Sequence, residues 1–356
     1  MPTFDIIKQV KPKKTFRVAS ILGKFDLQSE NIIERFEGNI DLPNKWQIGL
    51  IVGKSGTGKT TIAKQLFPNS YITEYKYKNE TVLDDMPKSS SVEEITSAFN
   101  SVGFSSPPSW LKPYSVLSNG QKMRVDLARA ILENEKLFVF DEFTSVVDRN
   151  VAQIGSFAMQ KAIRKTDKQF IAVTCHFDVK DWLLPDWIFD TDTMTFQNFE
   201  GQKKNRPAIR FEIFQTSDKT IWKMFAKHHY LIHTHNNAAN VFVATVNDEI
   251  AGFISILHFP HPKAKNIKRV HRLVILPDYQ GIGIGIKLLN HVGSIYKKQK
   301  DRYTIATSSP SLVYALKKSN EWACIRFGRT KETGKTSKQL KGTTSKERIT
   351  VSFEMI

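Results

Sequence analysis

Two successive α/β domains are the fold that the 356-residue sequence predicts. Short apolar runs alternate with helical patterns over residues 40–200, as in a mainly parallel sheet covered by helices. A polar, basic stretch containing Pro207, from Glu200 to Arg210, then interrupts the pattern, and a second strand-and-helix series follows it. The length allows two separate cores. The boundary is placed there, giving domains 1–202 and 203–356.

In the first domain Gln47–Val52 (QIGLIV), Lys136–Phe140 (KLFVF) and Gln169–Cys175 (QFIAVTC) read as buried strands. Ser91–Phe99 and Gln121–Glu133 read as helices, and Asp186–Asn198 closes the domain. The second domain opens with a strand at Arg210–Phe214 and a helix rich in aromatic residues and histidine. Strands VFVATVN (241–247), EIAGFISILHF (249–259) and RVHRLVIL (269–276) lead to a glycine-rich turn and a helix. A strand TIAT, a helix SLVYALKK and a last strand RITVSFEMI complete it. Gly328 to Lys346 is rich in Lys, Thr, Ser and Gly and reads as a mobile loop.

Composition narrows the function classes. No apolar run approaches the roughly 20 residues that span a bilayer, so no membrane partner is expected. The start lacks the features of a signal peptide, and Cys175 and Cys324 fall in different domains with no disulfide framework or metal-ligand spacing. A cytoplasmic protein is the expectation. Residues 1–200 hold 25 basic and 25 acidic residues, whereas 201–356 hold 27 and 10, which carries the whole net charge of +17. Excess positive charge confined to one half suggests nucleic acid as a partner of the second domain; a solubilising lysine-rich surface is the plainer alternative. The basic loop 326–348 contributes Arg326, Arg329, Lys331, Lys335, Lys338, Lys341, Lys346 and Arg348 against Glu332 and Glu347.

Chemistry enters at Gly53–Thr60, GKSGTGKT, which follows an apolar strand and opens a helix. Glycines at Gly53, Gly56 and Gly58 let the backbone N–H groups of a loop through Lys54, Ser55 and Thr57 wrap a phosphate, and the helix N-terminus adds its dipole. Lys59 neutralises phosphate oxygens, the Thr60 hydroxyl is placed for Mg²⁺, and Thr61 continues the site; ATP is the expected ligand. A later Gly334–Thr336 has no preceding strand and is discounted. Asp141 and Glu142 end the strand KLFVF, the first suited to Mg²⁺ and the second to orienting the attacking water. His176, just beyond QFIAVTC, is placed to contact the γ-phosphate.

With LSNGQ at Leu117–Gln121 and SVVD at Ser145–Asp148, this set resembles the ABC ATPase family over about residues 1–200. The resemblance implies a head-to-tail homodimer in which Ser118 and Gly120 complete the partner's ATP site. Asn119 departs from the more usual glycine, and no Q-loop glutamine is evident. Only 56 residues (61–116) lie between the two motifs, less than a transporter's helical subdomain needs. A soluble ABC ATPase acting on macromolecules is the expectation.

In the second domain, Leu273–Asn290 (LVILPDYQGIGIGIKLLN) is a strand, a turn and a helix start. It is not a dinucleotide fingerprint, because the third glycine would fall on Leu288. Gln280, Gly283 and Gly285, with Gly281 between, resemble instead the acyl-CoA motif of GNAT N-acetyltransferases, and the likeness extends over about 210–356. It implies acetyl-CoA with its pyrophosphate at the helix N-terminus and its pantetheine arm along the backbone of Leu273, Val274 and Ile275. His271 is the candidate base and Tyr314 the candidate acid, although simple alignment with the family puts Leu316 at the usual tyrosine position. His228, His229 and Tyr230 form a second polar cluster that could face the acceptor. The whole resembles ABC-type ATPases fused to a predicted acetyltransferase. The leading expectation is ATP-controlled acyl transfer to an amine of, or bound to, nucleic acid, as in DNA base or tRNA modification, with basic proteins left open; alternatives are an ATP-gated clamp with an inert GNAT fold or a toxin or antiphage ATPase.

Overall fold

The computed structural model describes residues 3–10, 13, 15–26, 32–199, 202, 208–229, 234–262, 264–329 and 349–356. In chain order β1 (Thr3–Val10), α1 (Phe16–Lys24), β2 (Ile32–Asn39), β3 (Ile48–Val52), α2 (Lys59–Leu66) and β4 (Tyr71–Ile72) come first. Three helices follow: α3 (Val92–Ser101), α4 (Pro107–Trp110) and α5 (Asn119–Leu132). Then come β5 (Leu137–Phe140), α6 (Arg149–Ile163), β6 (Gln169–Thr174), α7 (Val179–Leu183), β7 (Trp187–Asp190) and β8 (Thr195–Asn198). The remainder comprises β9 (Phe211–Thr216), α8 (Trp222–Ala226), β10 (Asn240–Val246), β11 (Glu249–His258) and β12 (Ile267–Ile275). It ends with α9 (Ile284–Lys298), β13 (Arg302–Thr307), α10 (Pro310–Lys317), β14 (Trp322–Arg329) and β15 (Ile349–Met355).

The chain divides into two compact units that interleave along the sequence. The first comprises 1–75, 134–146 and 163–206, and the second 76–133, 147–162 and 207–356. In the first, a six-stranded sheet has the order β4-β5-β6-β3-β7-β8. Its first five strands run parallel and β8 returns antiparallel. β3 is buried along its whole length, as its unbroken apolar run requires. Trp187 lies so close to Gly49 that a β-carbon there would meet its ring at 2.1 Å, so the strand pair tolerates only glycine. The β1–β2 hairpin, paired from Thr3↔Asn39 to Val10↔Ile32, puts Phe4 and Phe36 into the same core, with Phe4 edge-on to Phe189.

In the second unit a seven-stranded sheet has the order β14-β15-β13-β12-β11-β10-β9. All neighbours are antiparallel except β12 and β13, which pair in parallel only from Ile267↔Arg302 to Arg269↔Thr304. Beyond those pairs β12 runs on to Ile275 while β13 continues against β15, so the two strands part. A core of Phe242, Ala244, Ile254 and Ile256 meets Leu288, Leu289 and Val292 of α9, and a smaller cluster joins Val241, Val243 and Phe253 to Trp222 and Phe225 of α8. Ile154 of α6 belongs to the first of these cores. Gly328 and Arg329, read as part of a loop, lie in β14 and pair with Thr350 and Ile349, as does Arg326 with Ser352. Residues 330–348, with the other lysines of the basic loop, and Tyr230 lie outside the described residues.

Candidate functional site

In the first unit Gly53, Asp141 and His176 follow the carboxyl ends of β3, β5 and β6, which are adjacent parallel strands. Ligands of open α/β sheets bind at this edge. Gly56 and Gly58 have φ of +88° and +86°, which L-residues rarely adopt. A β-carbon at Gly58 would also fall 2.4 Å from the Phe36 ring. Gly58 caps α2 with no side chain bonded to the first turn, the arrangement that leaves helix N-terminal N–H groups available to an anion. The loop is held by its own side chains and by the segment just after β7. Thr57 Oγ1 donates to the Lys54 carbonyl at 2.9 Å and lies 2.6 Å from Thr191 Oγ1. Asp192 accepts from Lys54 N–H at 2.8 Å. Lys59 is buried, and its Nζ donates to the Lys54 carbonyl at 2.6 Å. Ser55 is exposed in the loop and Thr61 half-buried on α2.

Thr60 Oγ1 donates to Asp141 Oδ2 at 2.7 Å, joining the two residues predicted to hold the metal. Tyr71 OH donates to the same oxygen, a contact that spans 70 residues and that no local signal announces. Burial, then the bond to Asp141, raises the Tyr71 hydroxyl well above its ordinary value, so it remains a donor. Glu142 N–H donates to Asp141 Oδ1 at 2.9 Å, and Glu142 itself has φ +51°, an uncommon conformation for a non-glycine residue. Phe143 N–H donates to the Val173 carbonyl at 2.8 Å and fixes this turn to β6. His176 is half-buried, its N–H donating to Thr174 Oγ1 at 3.2 Å.

In the second unit Ser118 caps α5 by a reciprocal box with Gln121: the Ser118 hydroxyl accepts at 3.3 Å, and Gln121 Oε1 accepts from Ser118 N–H at 3.1 Å. Ser118 and Asn119 are exposed, while Gly120 is buried.

The acyl-CoA-type turn lies between β12 and α9. Gly281 and Gly283 both have φ +89°. Gly283 caps α9 as Gly58 caps α2, again without a side-chain bond, and a β-carbon there would meet open space. Leu273, Val274 and Ile275 pair on one edge with Ile254, Phe253 and Gly252 of β11. Gln280 is engaged on both ends of its amide: Nε2 donates to the Ile275 carbonyl at 2.9 Å, and Oε1 accepts from Ser105 N–H at 2.9 Å. Gly285 sits at ordinary contact distance from Ile275.

His271 lies where the β11–β12 register shifts, and its Nε2 is buried with no hydrogen-bond partner. Burial, with Arg272, His235 and His229 nearby, pushes it down to about 4. His235 packs against it at 5.7 Å between ring centroids, and Trp222 stands 5.6 Å from His235 and 5.8 Å from His229. His271 stands out in the sequence for its place just upstream of the glycine-rich motif, whereas His235 and Trp222 come from a loop and a helix that carry no such mark. His228 is lowered chiefly by burial and secondarily by Lys227. Tyr314 lies on α10 and is exposed, with the Lys318 ammonium 4.4 Å from its ring centroid; Leu316 is fully buried in the core.

No helix among the described residues is long and apolar enough to cross a membrane. A family model for ABC transporters matches residues 69–145, and a model for acetyltransferase (GNAT) domains matches 237–326. Putative ABC transporter ATP-binding protein MG467 of Mycoplasma genitalium is 32% identical over 101 residues, 28% of this chain and 28% of that protein. The chain therefore spans less than a third of that relative's length. The dimeric structure of MJ0796, a bacterial ABC transporter cassette, aligns with 56% of this chain and 98% of its own at 14% identity and TM-score 0.40. The ribosomal-protein-S18-alanine N-acetyltransferase of Escherichia coli aligns with 41% of this chain and 93% of its own at 14% identity and TM-score 0.31. One chain thus carries an ABC-family ATPase domain followed by a GNAT-family acetyltransferase domain.

Proposed function

We propose that this protein binds and hydrolyses ATP between head-to-tail copies of its first domain, and transfers an acetyl group from acetyl-CoA to an amine of, or bound to, nucleic acid. The domains are taken as 1–202 and 203–356, and the setting as the cytoplasm. The observation that carries the reading is the recurrence of one device, a strand, a left-handed glycine and an uncapped helix N-terminus, at Gly58 and again at Gly283. Thr60 and Asp141 bring a hydroxyl and a carboxylate together, the hard oxygen donors that Mg²⁺ takes alongside nucleotide phosphates. Glu142 orients water for attack on the γ-phosphate, and His176 reads that phosphate. Ser118 and Gly120 serve the partner's nucleotide.

In the second domain the unpartnered Nε2 of neutral His271 takes the proton of the acceptor amine. Acetyl-CoA supplies a thioester whose carbonyl carbon the amine attacks, and Tyr314 is assigned to return a proton to the departing thiolate. The excess of 27 basic over 10 acidic residues in 201–356 supports a polyanionic acceptor. Exposed Tyr314 favours a second reading, an ATP-gated nucleic-acid clamp without acyl transfer. To test the proposal, the full chain is incubated with Mg-ATP, acetyl-labelled CoA and DNA or tRNA, and label is followed by intact mass. Acetyl groups should appear on the nucleic acid or on protein bound to it. Tight acetyl-CoA binding without transfer to any of them would favour the clamp.

A further inference from the structure

The compact unit that holds the GNAT-type sheet also holds α3, α5 and most of α6, and one buried side chain joins them. Arg124, on α5, is 2% exposed. Its Nη1 donates to the carbonyls of Gly103 (2.7 Å) and Pro277 (2.6 Å), and its Nη2 to that of Asp278 (2.8 Å). Burial lowers the guanidinium to about 10, so it remains charged at neutral pH. A charge so enclosed is costly unless it is bonded, and three backbone carbonyls receive its Nη1 and Nη2 while its Nε stays buried without a partner. Two of the three belong to the turn that leads into Gly281 and Gly283.

The rest of the joint is equally close. A β-carbon on Gly103 would lie 2.6 Å from the Gln280 carbonyl, and one on Gly281 2.8 Å from Gly103 Cα. Ser105 N–H donates to Gln280 Oε1, and Asn247 donates to Gln153 of α6 at 2.8 Å. Gly120, in the LSNGQ turn, faces the same segment: a β-carbon there would stand 3.4 Å from Asp278 Oδ1. Burial raises the Asp278 carboxyl, Arg124 opposes that shift, and Asp148 adds to it. Glycine contacts and a triply bonded guanidinium leave little slack, and packed joints of this kind shift between discrete arrangements rather than deform. Ser118 lies six residues before Arg124, about 9 Å along the axis of one continuous helix.

We propose that Arg124 is a positioning residue through which nucleotide engaged at Ser118–Gly120 resets the acyl-CoA turn 277–283, so that ATP and acetyl-CoA bind with linked affinities. The inference rests on the two ligand sites of the proposed function and adds the route between them. Linkage makes the effect reciprocal: each ligand changes the other's affinity by the same factor.

Calorimetry on the full chain, titrating acetyl-CoA with and without a non-hydrolysable Mg-ATP analogue, measures that factor. A change of about fivefold or more is expected, the lower end of typical coupling. Arg124→Lys keeps the charge but cannot span all three carbonyls, and it should move the ratio of the two affinities toward one. A merely structural role would weaken both titrations and leave the ratio alone. Asp278→Asn, which alters the group facing Gly120, is the second variant, with the same ratio as readout. Equal wild-type affinities with and without nucleotide, although both ligands bind, overturn the linkage and leave the two-site reading standing. An unchanged ratio in a folded Arg124→Lys protein overturns the role of Arg124. Failure of the folded wild-type chain to bind acetyl-CoA overturns the reading of the turn itself, and the linkage with it.

Discussion

The loops at Gly53–Thr60 and Pro277–Gly285 solve the same physical problem with different materials. Each joins a strand to a helix through a left-handed glycine, φ +86° at Gly58 and +89° at Gly283, and leaves a helix N-terminus uncapped. The first surrounds that terminus with side-chain chemistry: a buried lysine, a threonine on a carboxylate, and a tyrosine on the same carboxylate. In the second the polar side chains turn away to other partners: Gln280 bonds the Ile275 carbonyl and Ser105 N–H, Tyr279 donates to Glu249, and Asp278 faces Gly120, so backbone shape is what the loop would offer a pyrophosphate. A shared turn geometry can thus be furnished with side chains that converge on one carboxylate or left to its backbone. Substitutions should follow that division.

The largest effect is expected at Glu142. Glu142→Gln keeps the shape but removes the carboxylate proposed to orient water, so hydrolysis should fall by roughly 10²- to 10⁴-fold, the usual worth of a positioned acid–base group. ATP binding should persist and the ATP-bound dimer accumulate, as size-exclusion chromatography with Mg-ATP would show. Wild-type turnover by a monomer would remove Glu142 and the dimer from the picture together.

Next comes the backbone-built turn. Gly283→Asp places a carboxylate in open space at the helix N-terminus, at φ +89°, where a pyrophosphate would sit. Acetyl-CoA affinity of the full chain should fall at least about tenfold, since repulsion of 1.4 kcal/mol already gives that factor. ATP hydrolysis without acetyl-CoA should not change. Unaltered acetyl-CoA binding would mean that the turn only resembles a phosphate cradle.

The smallest effect concerns acid stability. His271 is held at about 4 when folded against an ordinary 6.5, so the unfolded chain takes up its proton first as pH falls. Stability is therefore present above 6.5 and lost progressively between about 6.5 and 4. His271→Gln should reduce the drop in Tm across that window, measured by thermal unfolding at pH 7 and 4.5. An identical drop would place the acid-sensitive group elsewhere, with His235, also lowered by burial, the next to test.

What could be read in advance follows from how locally each feature is encoded. The phosphate loop is a contiguous motif after an apolar strand, and β3, α2, β5 and β6 lie where the runs and glycines put them. The glycine-rich turn is legible too, and Gly281 and Gly283 both take left-handed conformations in it. Features that depend on distant partners were not legible. Nothing in the sequence marks Arg124 within its helix, yet it is buried, and carbonyls more than 150 residues away receive it. Gln280 matched a motif position, but its amide is engaged by Ser105, 175 residues earlier. Tyr71 reaches Asp141 only because β4 and β5 are neighbours in the sheet.

The buried guanidinium also has a consequence for biosynthesis. Arg124 and Pro277 are 153 residues apart, so α5 leaves the ribosome well before two of its three acceptors exist. At about 5–20 residues per second that interval is roughly 8–30 s, long compared with helix formation. Until β10 and β11 are made, the N-terminal part of the second unit has helices but lacks the strands whose Phe242, Ala244 and Ile254 share a core with Ile154. A chain interrupted before β10 would leave Ile154 without that core and Arg124 without two of its three acceptors, so the joint is completed only late in synthesis.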